Sequence, residues 1–288
     1  MLSGRYNIIT MNKLSTEKRS QILQALCDGM SIRGTARLTG VAINSVVKLL
    51  KDAGNTCLDY QDQNLVDLSC KRVQCDEIWS FVYSKQKNVP EDRKGQLGYG
   101  DVWTWVAIDA DTKLVPCWQV GDRSADTASE FMHNLAGRLN GRVQLTTDGY
   151  RVYLEAVEGA FGCEIDYAML QKTYGGETGS KQERKYSPGK MRNATKLRVQ
   201  GNPDKREVST SFVERQNLTM RMSMRRFTRL TNAFSKKLEN HMHAISLYYM
   251  YYNFCRKHQS LGMTPAMAAG IADHVWEISE VVKLVDSK

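Results

Sequence analysis

The spacing of apolar and polar positions changes several times along the chain, and each change marks an element. "STEKRSQILQALCDGM" sets Ile22, Leu23, Ala25 and Leu26 on a helical period after a Ser-Thr start, and Asp28-Gly29 ends it. "SIRGTARLTG" predicts a short helix stopped by Gly40. "VAINSVVKLLKDAG" predicts a third, with Val46, Leu49 and Leu50 apolar and Gly54 as its C-terminal stop. In the last pair, Ala36 is small where two helices cross, and Gly40 suits a left-handed turn residue. That is a helix-turn-helix pattern, whose second helix turns Asn44, Ser45, Lys48 and Lys51 outward to bases or phosphates. A plain three-helix packing unit is the alternative. Residues 55–70 have weak periodicity and read as a linker, possibly part helical. The expected division is therefore 1–54 for DNA binding, 55–70 as linker and 71–288 as a second domain.

From residue 72 the period shortens. "RVQCDEIWSFVYSK" is β-branched and aromatic and reads as a strand; "VWTWVAI" and "LVPCWQV" flank a turn, "DADTK", where Asp109 and Asp111 are turn residues. "ADTASEFMHNLAGRL" is an amphipathic helix with Phe131, Met132, Leu135 and Leu139 as its stripe. "RVQLTTDGY" is a strand running into a turn, "RVYLEAVEGAFG" a helix and "CEIDYAML" a strand. The order predicts an α/β layered domain with a mixed sheet. Two acids stand out in it. Asp76 interrupts an apolar strand, where an unpaired charge is costly, and Asp148 ends another strand, 72 residues later.

Charge sharpens this picture. The 288 residues carry a formal +9, and the window from Gln171 to Leu230 alone holds fifteen lysines and arginines against five acids. A basic insertion over about 171–208, including Lys181, Arg184, Lys185, Lys190 and Arg192, reads as an exposed loop or arm able to track phosphates. Next comes "STSFVERQNLTM", a helix start with Ser211 as cap and Glu214 three residues on. Glu214, Asn217, Leu218 and Arg221 share a helical face, and Arg221, Arg225 and Arg226 continue the basic run. An acid there suits a metal ligand beside a phosphate track. A long helix from about Ala233 closes the pattern; His241 and His243 point to different faces and make a poor chelate.

Composition excludes other classes. At 42% hydrophobic and 25% charged residues, the chain is neither disordered nor fibrous. Seven scattered cysteines form no C-x-x-C pair, which argues against a disulfide framework or a four-ligand zinc site and for buried free thiols. "MLSGRYNIITMNK" lacks the apolar run of a signal peptide, and no window reaches eighteen apolar residues. A cytoplasmic, nucleoid-associated protein without membrane contact is expected.

The segments "CDEIWSFV", "GDVWTWVAIDADTKLVP", "LTTDGYRVYLEAVE", "TSFVERQNLTMRMSMRRFTRLTNAFSKK" and "YNFCRKHQSLGMTPAMAAGI" together resemble bacterial transposases of the insertion-sequence-one family. The resemblance covers essentially the whole chain. It implies an RNase H-like fold and DDE transposition, with Asp76, Asp148 and Glu214 as the catalytic, metal-binding triad. It also implies two magnesium ions, with manganese as a substitute. Its implied partners are double-stranded DNA (terminal inverted repeats and target) and further copies of the chain. The cysteine-rich finger of the family's best-known member is missing here, and 66 residues separate the last two acids. The rival expectation is a helix-turn-helix regulator whose RNase H-like domain is inactive. A host-type nuclease of the same fold is a second rival.

Overall fold

The computed structural model describes residues 13–175, 191–228 and 232–288. Three helices open it: α1 (Thr16–Cys27), α2 (Ile32–Thr39) and α3 (Ile43–Asn64). Ser15 and Ser31 cap the first two through their side-chain oxygens, and Gly40 turns the chain between α2 and α3 at φ 68°. Two short-spaced helices joined at a left-handed glycine therefore lie where Ala36 and Gly40 predict them.

The stretch expected as a linker is part helical. Residues 55–64 continue α3, and Thr56, Cys57 and Gln61 are buried in it. Gly54 is no stop. It lies mid-helix where α3 crosses α7 (Leu238–Met250), and a Cβ there would sit 2.4 Å from the His243 Cβ. The missing side chain lets two backbones approach, a packing role that a glycine near a weakly periodic stretch does not announce. The crossing is bonded as well: Ser246 Oγ donates to the Gly54 carbonyl (2.7 Å), and Gln61 Nε2 to the Ser246 carbonyl (3.3 Å). The closing helix α8 (Ile278–Asp286) returns to α1, where Arg19 donates twice to Asp286 (2.5 and 2.7 Å).

The middle of the chain forms a six-stranded mixed sheet in the order β3-β2-β1-β4-β5-β6. The strands are β1 (Arg72–Val82), β2 (Gly100–Asp109), β3 (Trp118–Gly121), β4 (Val143–Asp148), β5 (Ile165–Tyr174) and β6 (Met191–Gln200). β1, β2 and β3 form an antiparallel meander, β4 and β5 run parallel to β1, and β6 is antiparallel. This is the mixed α/β class the sequence predicts. The turn expected at "DADTK" is made by the Asp109 carboxylate, which accepts from the amides of Asp111 and Thr112. β3 begins later than the pattern implies, because Pro116 offers no N–H. The Asn253 side chain takes over that stretch, bonding both the amide and the carbonyl of Val115 (3.0 Å each).

One sheet face is covered by α4 (Ala125–Ala136) and α5 (Val152–Phe161), with Phe131 and Tyr153 against Trp105. The other is covered by α6 (Ser211–Ser223) and α7, with Tyr249 stacked on Trp118. α7 starts five residues after the expected Ala233, and a single π-helical turn, Tyr251–Cys255, follows it. The basic insertion is not a loop throughout: β5 runs on to Tyr174 and pairs with β6. β6 is an exposed edge strand, and its Arg192, Lys196 and Arg198 suit an edge that must not pair with another chain. All seven cysteines are free and five are buried. No helix among the described residues is long and apolar enough to cross a membrane.

Candidate metal centre and its basic flanks

Asp76 and Asp148 come together because of the register between β1 and β4. The parallel ladder pairs Arg72 with Gln144 through to Cys75 with Thr147, so the next step sets Asp76 opposite Asp148. β4 ends there. The Asp148 carboxylate accepts from the Tyr150 amide (2.9 Å), which turns the chain at the strand end. Glu77 joins them: among the described residues, Asp76, Glu77 and Asp148 each place a carboxylate oxygen within 4.8 Å of the other two. Successive strand residues point to opposite faces. Glu77 can still meet Asp76 because β1 runs on past the end of β4 and leaves an open edge between the faces.

This crowding shows in the electrostatics. Burial, and then the Asp148 charge, push the Asp76 carboxyl up to about 6; the hydrogen bond from Asn217 works against them. Burial pushes Glu77 up to about 7, with the charges of Asp148 and Asp76 adding to it. Glu77 is held by Arg123 (Nη2 to Oε2, 3.1 Å), whose guanidinium also lies over the rings of Tyr150 (4.1 Å) and Trp103 (4.7 Å). Three carboxylate oxygens at this spacing could hold a hard metal ion.

α6 is docked onto the same strand. Its N-terminal amides, Phe212 (2.8 Å) and Val213 (3.2 Å), donate to Gln74 Oε1 on β1. The expected cap at Ser211 is therefore replaced: the helix begins at Ser211, Thr210 precedes it, and the buried Gln74 supplies the acceptor from across the fold. One turn further on, Asn217 Nδ2 donates to Asp76 Oδ2 (2.9 Å). Glu214 is near enough for its charge to raise Asp76. Its carboxylate, however, is not among the converging oxygens. It accepts from Thr210 Oγ1 (2.5 Å) and pairs with Lys172 on β5. Of the three acids named from the sequence, two converge, and the third is held aside by a lysine.

The predicted DNA contacts divide in the same way. Asn44, Ser45 and Lys48 are exposed on the first turns of α3, with Lys48 paired to Asp52 (2.6 Å). Lys51 is turned toward α7 and pairs with Glu239 (2.8 Å). Arg192 and Arg225 are exposed and Arg221 is half-buried. Arg226 points inward, donating to Ser235 Oγ (2.8 Å) and the Asn240 carbonyl (3.1 Å), and burial lowers its pKa to about 10. Lys181, Arg184, Lys185 and Lys190 lie outside the described residues. His241 is buried beside Ser80 Oγ (3.1 Å) and burial lowers its pKa to about 3, which fits a core histidine.

Sequence reasoning missed Glu77, Gln74, Arg123 and Lys172. Strand alternation sets Glu77 on the other face from Asp76, and the other three act through contacts far apart in sequence. Asn217 was visible only as a neighbour of Glu214 on the helix face.

No known family model matches the chain, and no curated protein matches it. Among solved structures it is similar to the Mos1 strand transfer complex, at 15% identity over 54% of this chain and 59% of that one, with a TM-score of 0.23. It is similar to the Mos1 mariner paired end complex with Mn at 16% identity, over 53% of this chain and 58% of that one, TM-score 0.22. A piggyBac transposase synaptic complex with hairpin DNA aligns at 10% identity over 99% of this chain and 74% of that one, TM-score 0.43. The chain thus spans less than two thirds of the Mos1 chains it matches. Likenesses this distant carry no function across, which has to come from the chain's own site.

Proposed function

We propose that the chain is a DNA transposase, cutting phosphodiesters at the ends of an insertion sequence and joining the freed 3′ ends to target DNA. The reading is carried by one observation: Asp76 and Asp148 converge where β4 ends beside β1, the strand to which α6 is docked through Gln74 and Asn217. The family resemblance of the sequence supplies DNA as substrate, and the basic surplus around α6 agrees with it.

Asp76 and Asp148 would hold divalent magnesium, with Glu77 at the same cluster and Glu214 as the third acid of the triad. Bound there, the metal would stabilise the charge that develops on the attacking and departing oxygens. The chain's own residues prepare the place. Asn217 orients Asp76 by donating to one of its oxygens, and Tyr150 orients Asp148. Arg123 holds Glu77 against the sheet. Glu214 lies on the first turn of α6 and would reach the cluster by side-chain rotation once Lys172 lets go. Asn44, Ser45 and Lys48 would read duplex DNA, and Arg192, Arg221 and Arg225 would meet phosphates. Two ends must be held together for joining, so the working form would be a homo-oligomer.

A second reading, a helix-turn-helix regulator with an inactive domain, is favoured by the Lys172 pairing of Glu214. Cleavage and strand-transfer assays on a matched element end, with and without magnesium, separate the two. Asp76→Asn, Asp148→Asn and Glu214→Gln are expected to keep DNA binding and lose cutting. Full cleavage by one variant removes that residue from the triad. Metal-dependent cutting by no form of the protein, with binding retained, establishes the regulator.

A further inference from the structure

The flank of α6 turned away from the acids faces a second feature, a cavity of about 290 Å3 between α6, the turn after β2 and the segment following α7. Lys113, Arg215, Arg256, Lys257 and His258 line it, together with Phe212. Phe212, Arg215, Gln216 and Thr219 share this side of the helix, whereas Asn217 lies toward the carboxylates. An α-helix is about 10 Å across with its side chains, which sets the distance between the two places.

Three properties distinguish this cavity from an ordinary basic surface. First, three of its cations lack acid partners. Arg19, Arg72, Arg138 and Arg142 each pair with a carboxylate, yet Arg215, Arg256 and Lys257 have no ion-pair partner among the described residues. Second, the positive groups crowd one another: burial, and then the charges of Lys113 and Arg256, lower the His258 pKa. Third, Lys113 is built in. Its backbone lies in the left-handed region at φ 62°, fixed by the Asp109 turn and by Tyr252, whose hydroxyl donates to the Lys113 carbonyl (3.1 Å). Its ammonium lies 3.6 Å from the centre of the Phe212 ring. Unneutralised cations around a half-open cavity call for an anion. The exposed aromatic edge beside them suits a nucleotide unit better than a bare ion.

We propose that this cavity holds a phosphate of a nucleic acid strand with its attached nucleoside, on the opposite side of α6 from the carboxylates. The proposal rests on the reading that the chain acts on DNA, and it names a place where one strand is gripped. Free phosphate shares the chemistry, so the test separates the two sources.

The full-length protein is titrated with a fluorescent single-stranded oligonucleotide in EDTA, over a series of salt concentrations. Arg215→Ala with Arg256→Ala is expected to weaken binding by at least about tenfold and to flatten the log–log salt slope by about 0.7, for the one phosphate no longer neutralised. Removing the exposed Lys87 and Lys283 instead is the control for net charge. Thermal unfolding should be unchanged, since neither guanidinium has an acid partner; should the double variant unfold, Arg215→Gln and Arg256→Gln are read singly. Affinity and slope equal to the control overturn the proposal. So does binding of inorganic phosphate to the wild type but not to the double variant, when the oligonucleotide binds both equally. EDTA keeps the result independent of metal and cleavage. Cleavage is not read in this assay, so failure of the cleavage reading and failure of this site remain distinguishable.

Discussion

The amide nitrogen of Asn217 lies 2.9 Å from a carboxylate oxygen of Asp76, joining the late helix α6 to the first strand of the sheet across 141 residues of chain. Asn217 is buried and Asp76 is crowded by other acids, so the bond is made to a group whose charge has little water around it. Asn217→Leu should therefore destabilise the fold by about 1.5–3 kcal/mol, the range for a hydrogen bond to a charged group. Chemical denaturation of the metal-free protein measures it. A loss below the level of a surface substitution would show that the bond does not tie α6 to β1.

The raised pKa of Asp76 gives a signed pH dependence. Burial pushes the folded carboxyl from its ordinary 3.8 up to about 6, so between these pH values the folded state binds the extra proton. Its contribution to stability is fully present at low pH and is lost as pH rises through about 6. Asp76→Asn removes that loss. The variant should gain stability over wild type at pH 8, by up to roughly 3 kcal/mol for a shift of about two pKa units, and little at pH 4. Denaturation at the two pH values checks it; an equal difference at both would mean that Asp76 is not held in this environment.

Much of the fold was legible because it is written in local periodicity. The stripe of Phe131, Met132 and Leu135 gave α4, and Gly40 gave the turn between α2 and α3. Asp76 and Asp148 could be placed because strand order and strand ends follow from the same pattern. Contacts distant in sequence were not legible. Gly54 reads as a helix stop, but its value is the close approach of His243, 189 residues on. Gln74 caps α6 from another element, so Ser211 looked like the cap. The orientation of Glu214 depends on Lys172, a residue of β5 whose strand runs further than its apolar core suggests.

Gly54→Ala tests the helix crossing. The added Cβ would meet the Cβ and Cα of His243 at 2.4 and 2.6 Å, so α3 and α7 must separate. Overpacking of this kind costs about 1–3 kcal/mol, more than the helix propensity that alanine gains. Denaturation should show a net loss. A stabilised variant would mean that the two helices are not in close contact.

Lys172→Met should release Glu214 toward the carboxylate cluster. The pair is partly exposed, so its own strength is only about 0–1 kcal/mol. Half-saturation by manganese, followed by calorimetry, should fall by up to about fivefold, the equivalent of that energy. Unchanged or weaker manganese binding would remove Glu214 from the metal site.

The most direct test of the account is anomalous scattering at the manganese edge from crystals of the full chain soaked in manganese chloride. The account predicts a peak between the carboxylates of Asp76 and Asp148, lost in Asp148→Asn. A map with no peak at that position, from crystals in which β1, β4 and α6 are ordered as described, would contradict it.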